Sequence, residues 1–242
     1  MKIIIIPDIH GRKFWRSVDI HDADKVIFLG DYLDPYFNEF THPELMDCEY
    51  FGDSESLLKM LQDIINIKKE SPENVILLLG NHDWQYLGGT KSNRIDCKNE
   101  EIYHNIFKEN LSLFNLAWTE KSYIFSHAGI VNSWREETDL LECAKYLQNV
   151  DLSAVVNDYS SELRKRLNII SFYRGGWQNY GSPLWADINE HLNWDEPLEY
   201  DYYQIFGHTH IKKPVITKSW ACLDCDRAFI LDTETNKIVE YE

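Results

Sequence analysis

The chain opens Met1-Lys2-Ile3-Ile4-Ile5-Ile6-Pro7-Asp8-Ile9-His10-Gly11, and this stretch decides the fold. Four consecutive isoleucines do not alternate with polar residues, so they read as a strand buried on both faces. Pro7 ends the run, and Asp8 and His10 follow it at once. The same grammar recurs four times. Val26–Leu29 leads into Gly30-Asp31, and Val75–Leu79 into Gly80-Asn81-His82-Asp83. Tyr123–Phe125 leads into Ser126-His127, and Ile205-Phe206 into Gly207-His208-Thr209-His210.

A helix is expected between the second and third of these strands. In Asp53–Glu70, Leu57, Leu58, Leu61, Ile64 and Ile65 form one apolar stripe, with Asp53 or Ser54 as N-cap. Strand, helix, strand predicts a βαβ crossover. Near the end, Phe229–Leu231 and Ile238–Val239 flank Thr233-Glu234-Thr235-Asn236, which predicts an antiparallel hairpin. Repeats and low-complexity linkers are absent, so 1–242 reads as one domain. Two stretches read as additions to it: the aromatic, acidic Tyr32–Gly52 and a mostly helical region over 133–173, expected to cap the active site.

Composition removes several functions. The 24 Lys+Arg against 40 Asp+Glu leave a formal charge of −16, which disfavours nucleic-acid and anionic-membrane partners. An acidic chain still binds a small anion where metal ions supply positive charge. No apolar window approaches the roughly 18 residues of a membrane span, and no signal peptide is visible. The five cysteines are an odd number and mostly scattered, which suits reduced thiols and a cytoplasmic location. Cys222 and Cys225 form a single CxxC, read as two ordinary thiols near a strand.

The chemistry lies at the strand ends. Asp8, His10, Asp31, Asn81, His127, His208 and His210 are seven O and N donors, and sites in open α/β sheets form outside the carboxyl ends of strands. One such residue is ordinarily a cap or turn residue. Five clusters in one chain instead suit two divalent cations with a bridging carboxylate, which clamp a phosphoryl group and sharpen a bridging water into hydroxide.

The segments PDIHG, GDYLD, GNHD, SHAG and GHTH, in this order, resemble the motifs of the calcineurin-like metallophosphoesterases. IFSHAGI, SPLWAD and CLDCD are similar to the bacterial and phage phosphoprotein-phosphatase branch, which includes diadenosine tetraphosphate hydrolases. The resemblance implies an α/β fold, a two-sheet β-sandwich flanked by helices. It implies that Asp8 and His10 bind a first metal, that Asp31 bridges, and that Asn81, His127 and His208 bind a second. His210 fills a first-metal position that the phosphoprotein-phosphatase branch often lacks. His82 becomes the general acid, and Asp34 orients its imidazole. Manganese or iron is favoured, and zinc also fits.

One departure matters. The family writes GDxxDRG, with the arginine on the phosphate, and Pro35 stands in that place here. Arg174, beside Gly175 and Gly176, is the first candidate to replace it, followed by Arg12, Arg94 and Arg227. His21, His42, His104 and His191 have no motif context. Trp84, Trp177, Trp185 and Trp220 are read as core or pocket-wall residues ahead of nucleobase-stacking ones. The expected function is metal-dependent hydrolysis of a phosphorylated protein, nucleotide or small phosphate ester. The alternatives are a dinucleoside polyphosphate hydrolase or other nucleotide phosphoesterase, and an inactive metal-binding scaffold.

Overall fold

Ile3 to Ile6 are all fully buried because each face of their strand meets a different apolar layer. Ile3 and Ile5 pack with Phe125, Ile205 and Leu223, while Ile4 and Ile6 pack with Leu61 and Ile64 of a covering helix. Residues two apart share a face, so this one run sorts into two layers. The computed structural model describes residues 1–36, 53–136, 138–193 and 202–242. Residues 37–52 of the predicted acidic, aromatic addition, with His42, lie outside the described residues.

The strands are β1 (Lys2–Ile6), β2 (Lys25–Phe28), β3 (Val75–Leu78), β4 (Phe114–Asn115), β5 (Ala117–Glu120), β6 (Tyr123–Ser126), β7 (Tyr203–Phe206), β8 (Val215–Ile216), β9 (Trp220–Cys222), β10 (Phe229–Asp232) and β11 (Lys237–Glu240). They form two mixed sheets, ordered β11-β10-β1-β2-β3-β4 and β5-β6-β7-β9-β8. β1 to β4 run parallel, as do β6, β7 and β9. The sheets pack face to face with helices outside, so the chain has the expected α/β sandwich architecture.

The predicted crossover helix spans Ser54–Glu70, and its N-cap Asp53 accepts from the Ser56 amide at 2.7 Å. The predicted hairpin is β10–β11, and β10 also pairs antiparallel with β1, which brings the two ends of the sequence into one sheet. The helical region over 133–173 contributes Leu140, Ala144, Leu147, Val155 and Leu167 to the core that covers the first sheet. Cys222 lies on β9, and burial pushes the neighbouring Cys225 thiol up to about 12, the condition of an inert thiol. Among the described residues, no helix is long and apolar enough to cross a membrane.

Candidate metal centre

β1, β2, β3, β6 and β7 each hand a polar side chain to one edge of the sandwich. The loops that do so are tight. His10, Asp31, Asp34 and His208 all have positive φ, at 45°, 51°, 62° and 65°. Non-glycine residues in this region carry strain that the surrounding structure must hold, and such strain gathers at functional sites. Two glycines permit the close approach. A β-carbon on Gly80 would overlap the Asp31 carboxylate, and one on Gly207 would overlap that of Asp8.

Ligand atoms of Asp8, Asp31, His127 and His208 lie within 4.8 Å of one another, all buried. Those of His10, Asp31 and His82 form a second such group, and Asp31 is common to both. The imidazole tautomers are fixed from behind. His10 Nδ1–H donates to the Leu33 carbonyl at 2.8 Å, and His127 Nδ1–H donates to the Leu29 carbonyl at 2.9 Å. Each Nε2 lone pair therefore faces inward. His10 Nε2 lies 3.3 Å from Asp31 Oδ2. His127 Nε2 lies 3.0 Å from Asn81 Oδ1, 3.1 Å from His208 Nδ1 and 3.5 Å from Asp31 Oδ2. Buried acceptors turned on one another are unfavourable unless a cation lies among them. The carboxylate, amide and imidazole donors thus fit divalent cations.

Electrostatics agree. Burial lowers the His10 imidazole to about 3. Burial, reinforced by Arg174, holds His208 well below its usual range. Both are then neutral ligands near pH 7. Burial pushes the Asp31 carboxyl up, but the imidazoles of His127, His82 and His10 outweigh it and hold the group well below its usual range. Asp8 is raised by burial, and its oxygens accept from the His208 amide at 2.9 and 3.1 Å.

Next to this centre, His82 Nδ1–H donates to Asp34 Oδ2 at 2.9 Å. Asp34 is buried and also accepts from the Tyr86 hydroxyl at 2.5 Å and from the Gln85 amide. Asp83 had no assigned role in the sequence. It is fully buried, and its carboxylate accepts from the amides of Gly80 (2.8 Å), Asp31 (2.8 Å) and Tyr32 (3.1 Å). It ties the β2 and β3 loops together at the start of the helix Asn81–Tyr86. Its position two residues after Asn81, in the first turn of that helix, was a readable capping signal.

The centre opens into a cleft of about 310 Å³ lined by His10, Asp31, Asn81, His82, His208, Arg94 and Arg174, among others. Arg174, the first candidate for the phosphate clamp, is among the residues that line this cleft. Its Nη2 donates to the His208 carbonyl (3.2 Å) and the Thr209 hydroxyl (2.6 Å), and its Nε pairs with Asp187 at 2.8 Å. Arg12 is instead paired with Asp226 at 2.9 Å, and Arg227 makes an exposed pair with Glu240. The seventh predicted donor stands apart. His210 is exposed, its Nε2 lies 3.0 Å from Asp226 Oδ2, and it groups with Asp224 and Asp226 rather than with Asp31. The cause is an ionic partner: against the effect of burial, His210 and Arg12 hold the Asp226 carboxyl below its usual range. Trp84, Trp185 and Trp220 are buried, as read, but Trp177 is 97% exposed and packs in no core.

The family described as calcineurin-like phosphoesterase matches residues 1–212. Among curated proteins, none matches the chain. A cold-active protein-tyrosine phosphatase of a psychrophilic Shewanella species is similar in structure, with a TM-score of 0.62 and 14% identity, covering 100% of this chain and 80% of that one. A protein serine/threonine phosphatase from Saccharomyces cerevisiae gives a TM-score of 0.59 and 14% identity over the same shares of the two chains. At these identities the likeness is one of fold.

Proposed function

The chain belongs to the calcineurin-like phosphoesterase family, and we propose that it is a phosphatase working with two divalent cations that share Asp31. As a family member it is a phosphoester hydrolase. One observation carries the finer reading: Asp31 is the carboxylate common to both buried groups of ligand atoms. Asp8, His10 and Asp31 would hold the first cation, and Asp31, Asn81, His127 and His208 the second. His210 would join the first only by giving up Asp226. Two cations held there supply positive charge to phosphoryl oxygens and acidify an attacking water. Manganese or iron suits these mixed donors, and zinc also fits.

The chain's own residues perform the remaining work. The Leu29 and Leu33 carbonyls keep Nε2 of His127 and His10 directed inward. His82 gives a proton from Nε2 to the leaving oxygen, while Asp34 holds its ring through Nδ1. Arg174 grips the phosphoryl group from the side of His208 and Thr209. The helical stretch over 133–173 acts as a cap whose end brings Ile170, and just beyond it Arg174, to the cleft. Substrates are phosphorylated proteins, nucleotides or small phosphate esters rather than nucleic-acid polymers or membrane surfaces, in keeping with the charge of −16. The free thiols of Cys97, Cys143, Cys222 and Cys225 suit a reducing cytoplasm.

The test is hydrolysis of p-nitrophenyl phosphate with manganese, iron, zinc or magnesium, followed by a screen of phosphopeptides, nucleotides and dinucleoside polyphosphates. Turnover that needs added metal and stops with a chelator supports the reading. A chain that hydrolyses none of these esters with any of the metals rejects it.

A further inference from the structure

Arg94 is the second guanidinium of the cleft. It is half-buried and tightly held. Its Nη1 donates to the Asp34 carbonyl at 2.9 Å, and its Nη2 donates to His82 Nε2 at 2.9 Å. Its guanidinium carbon lies 3.9 Å from the centre of the Tyr36 ring. These partners are a carbonyl, a ring nitrogen and an aromatic face. Among the described residues no carboxylate pairs with it, although the chain has 40 Asp+Glu. Arg12 and Arg174, by contrast, each have one. A half-buried cation beside a metal centre, with no carboxylate partner among the described residues, is built to receive an anion.

We propose that Arg94 binds the substrate's phosphoryl group, turning to it from Nε2 of His82. The inference rests on the phosphatase reading above. Arginine is a donor only, so the contact with Nε2 means that His82 offers a lone pair there while its Nδ1–H serves Asp34. Hydrogen bonds from a guanidinium to a phosphate have charge on both partners and are stronger than those to a neutral imidazole. An entering phosphate therefore draws Arg94 across and frees Nε2, which takes up a proton from water before it gives one to the leaving oxygen. Arg94 approaches from the His82 side and Arg174 from the His208 side. Two guanidiniums suit the three terminal oxygens of a phosphomonoester dianion better than the two of a singly charged diester.

The experiment compares Arg94→Ala and Arg94→Lys with the wild-type chain, all loaded with manganese. The substrates are p-nitrophenyl phosphate and bis(p-nitrophenyl) phosphate, and inorganic phosphate is the inhibitor. Arg94→Ala should lower kcat/KM for the monoester about ten- to a hundredfold and weaken phosphate inhibition by a similar factor. The diester should lose less, so the monoester preference shrinks, and metal content should not change. Arg94→Lys should recover part of the loss, and it decides the matter if the alanine variant does not fold. Unchanged phosphate inhibition and an unchanged monoester-to-diester ratio overturn the assignment, whatever the melting temperature does. A wild-type chain inactive on both esters overturns the phosphatase reading, and this inference with it, before any variant is made.

Discussion

Asp34→Asn isolates the charge behind the proposed general acid. In the native site one buried carboxylate accepts from His82 Nδ1–H at 2.9 Å, from the Tyr86 hydroxyl at 2.5 Å and from the Gln85 amide. Asparagine fits the same space with one oxygen and one amide. With the amide toward Tyr86, whose hydroxyl can accept, the oxygen still faces His82 and Gln85, so the variant folds. What disappears is the charge. Hydrogen bonds to charged groups contribute about 1.5–3 kcal/mol and neutral ones about 0.5–1.5, a difference near 1–1.5 kcal/mol. That is about one decade in rate. The loss should fall on substrates whose leaving oxygen needs a proton, so an alkyl phosphate slows about tenfold and p-nitrophenyl phosphate hardly at all. The assay plots log kcat/KM against leaving-group acidity over a series of aryl and alkyl phosphates, with metal content measured alongside. The wild-type and Asp34→Asn lines should converge at acidic leaving groups and part at basic ones. Parallel lines would refute the reasoning, because an equal loss everywhere means that Asp34 holds structure or metal rather than the acid.

The other predictions touch the rest of the site and the fold. Asp31→Asn removes the carboxylate common to both groups, so elemental analysis should find both cations weakly held and turnover nearly abolished; two metals with normal turnover would sink the bridging assignment. Arg174→Ala should cut kcat/KM by about one to two decades with metals retained, and Arg174→Lys should restore part of it. A lower melting temperature with unchanged catalysis would instead reduce Arg174 to its ion pair with Asp187. Burial raises the Cys143 thiol from 9.0 to about 11, so the unfolded chain loses this proton first as pH rises. Its contribution to stability is full below pH 9 and should fall by about 1.4 kcal/mol per unit from there to pH 11. Denaturation of the wild-type chain and Cys143→Ala across that range checks it, and a difference that does not vary with pH would contradict it.

The five predicted strand ends were legible because burial on both faces leaves a plain apolar run with a polar residue straight after it. The same uniformity hid which isoleucine faces which layer, since Ile3 and Ile4 look alike when neither side meets water. β4 and β8 have two residues each, too few to show a period. Asn81-His82-Asp83 stands in the sequence only as a polar cluster after a strand, but it opens a helix, and that geometry sets His82, Gln85 and Tyr86 on one face around Asp34. The Asp34 partner, about fifty residues away, came from the resemblance of GDYLD and GNHD to the family motifs, whereas Gln85 and Tyr86, which also hold Asp34, carried no signal. Trp177 departs from the core or pocket-wall reading, and the Gly175-Gly176 pair before it marks an exposed turn. His210 was expected from its place in GHTH, and only the fold reveals that Asp226 competes for it.

The charge of the chain and its proposed substrate look opposed, and the site reconciles them. Asp8, Asp31, Asp34 and Asp83 belong to the 40 acidic residues, yet all four are buried, where they cannot repel an anion through solvent as surface carboxylates do. Asp8 and Asp31 gather with the imidazoles of His127 and His208 into a pocket for cations. Asp34 is occupied by three donors, and Asp83 by three backbone amides. Burial and the nearby Asp31 carboxylate also push the Asp83 carboxyl well above its usual range. The cleft above them instead presents Arg94 and Arg174. Net charge therefore speaks for the outer surface and against a polyanionic partner that must cover much of it. A single phosphoryl group meets only the local field, which two cations and two guanidiniums would make positive.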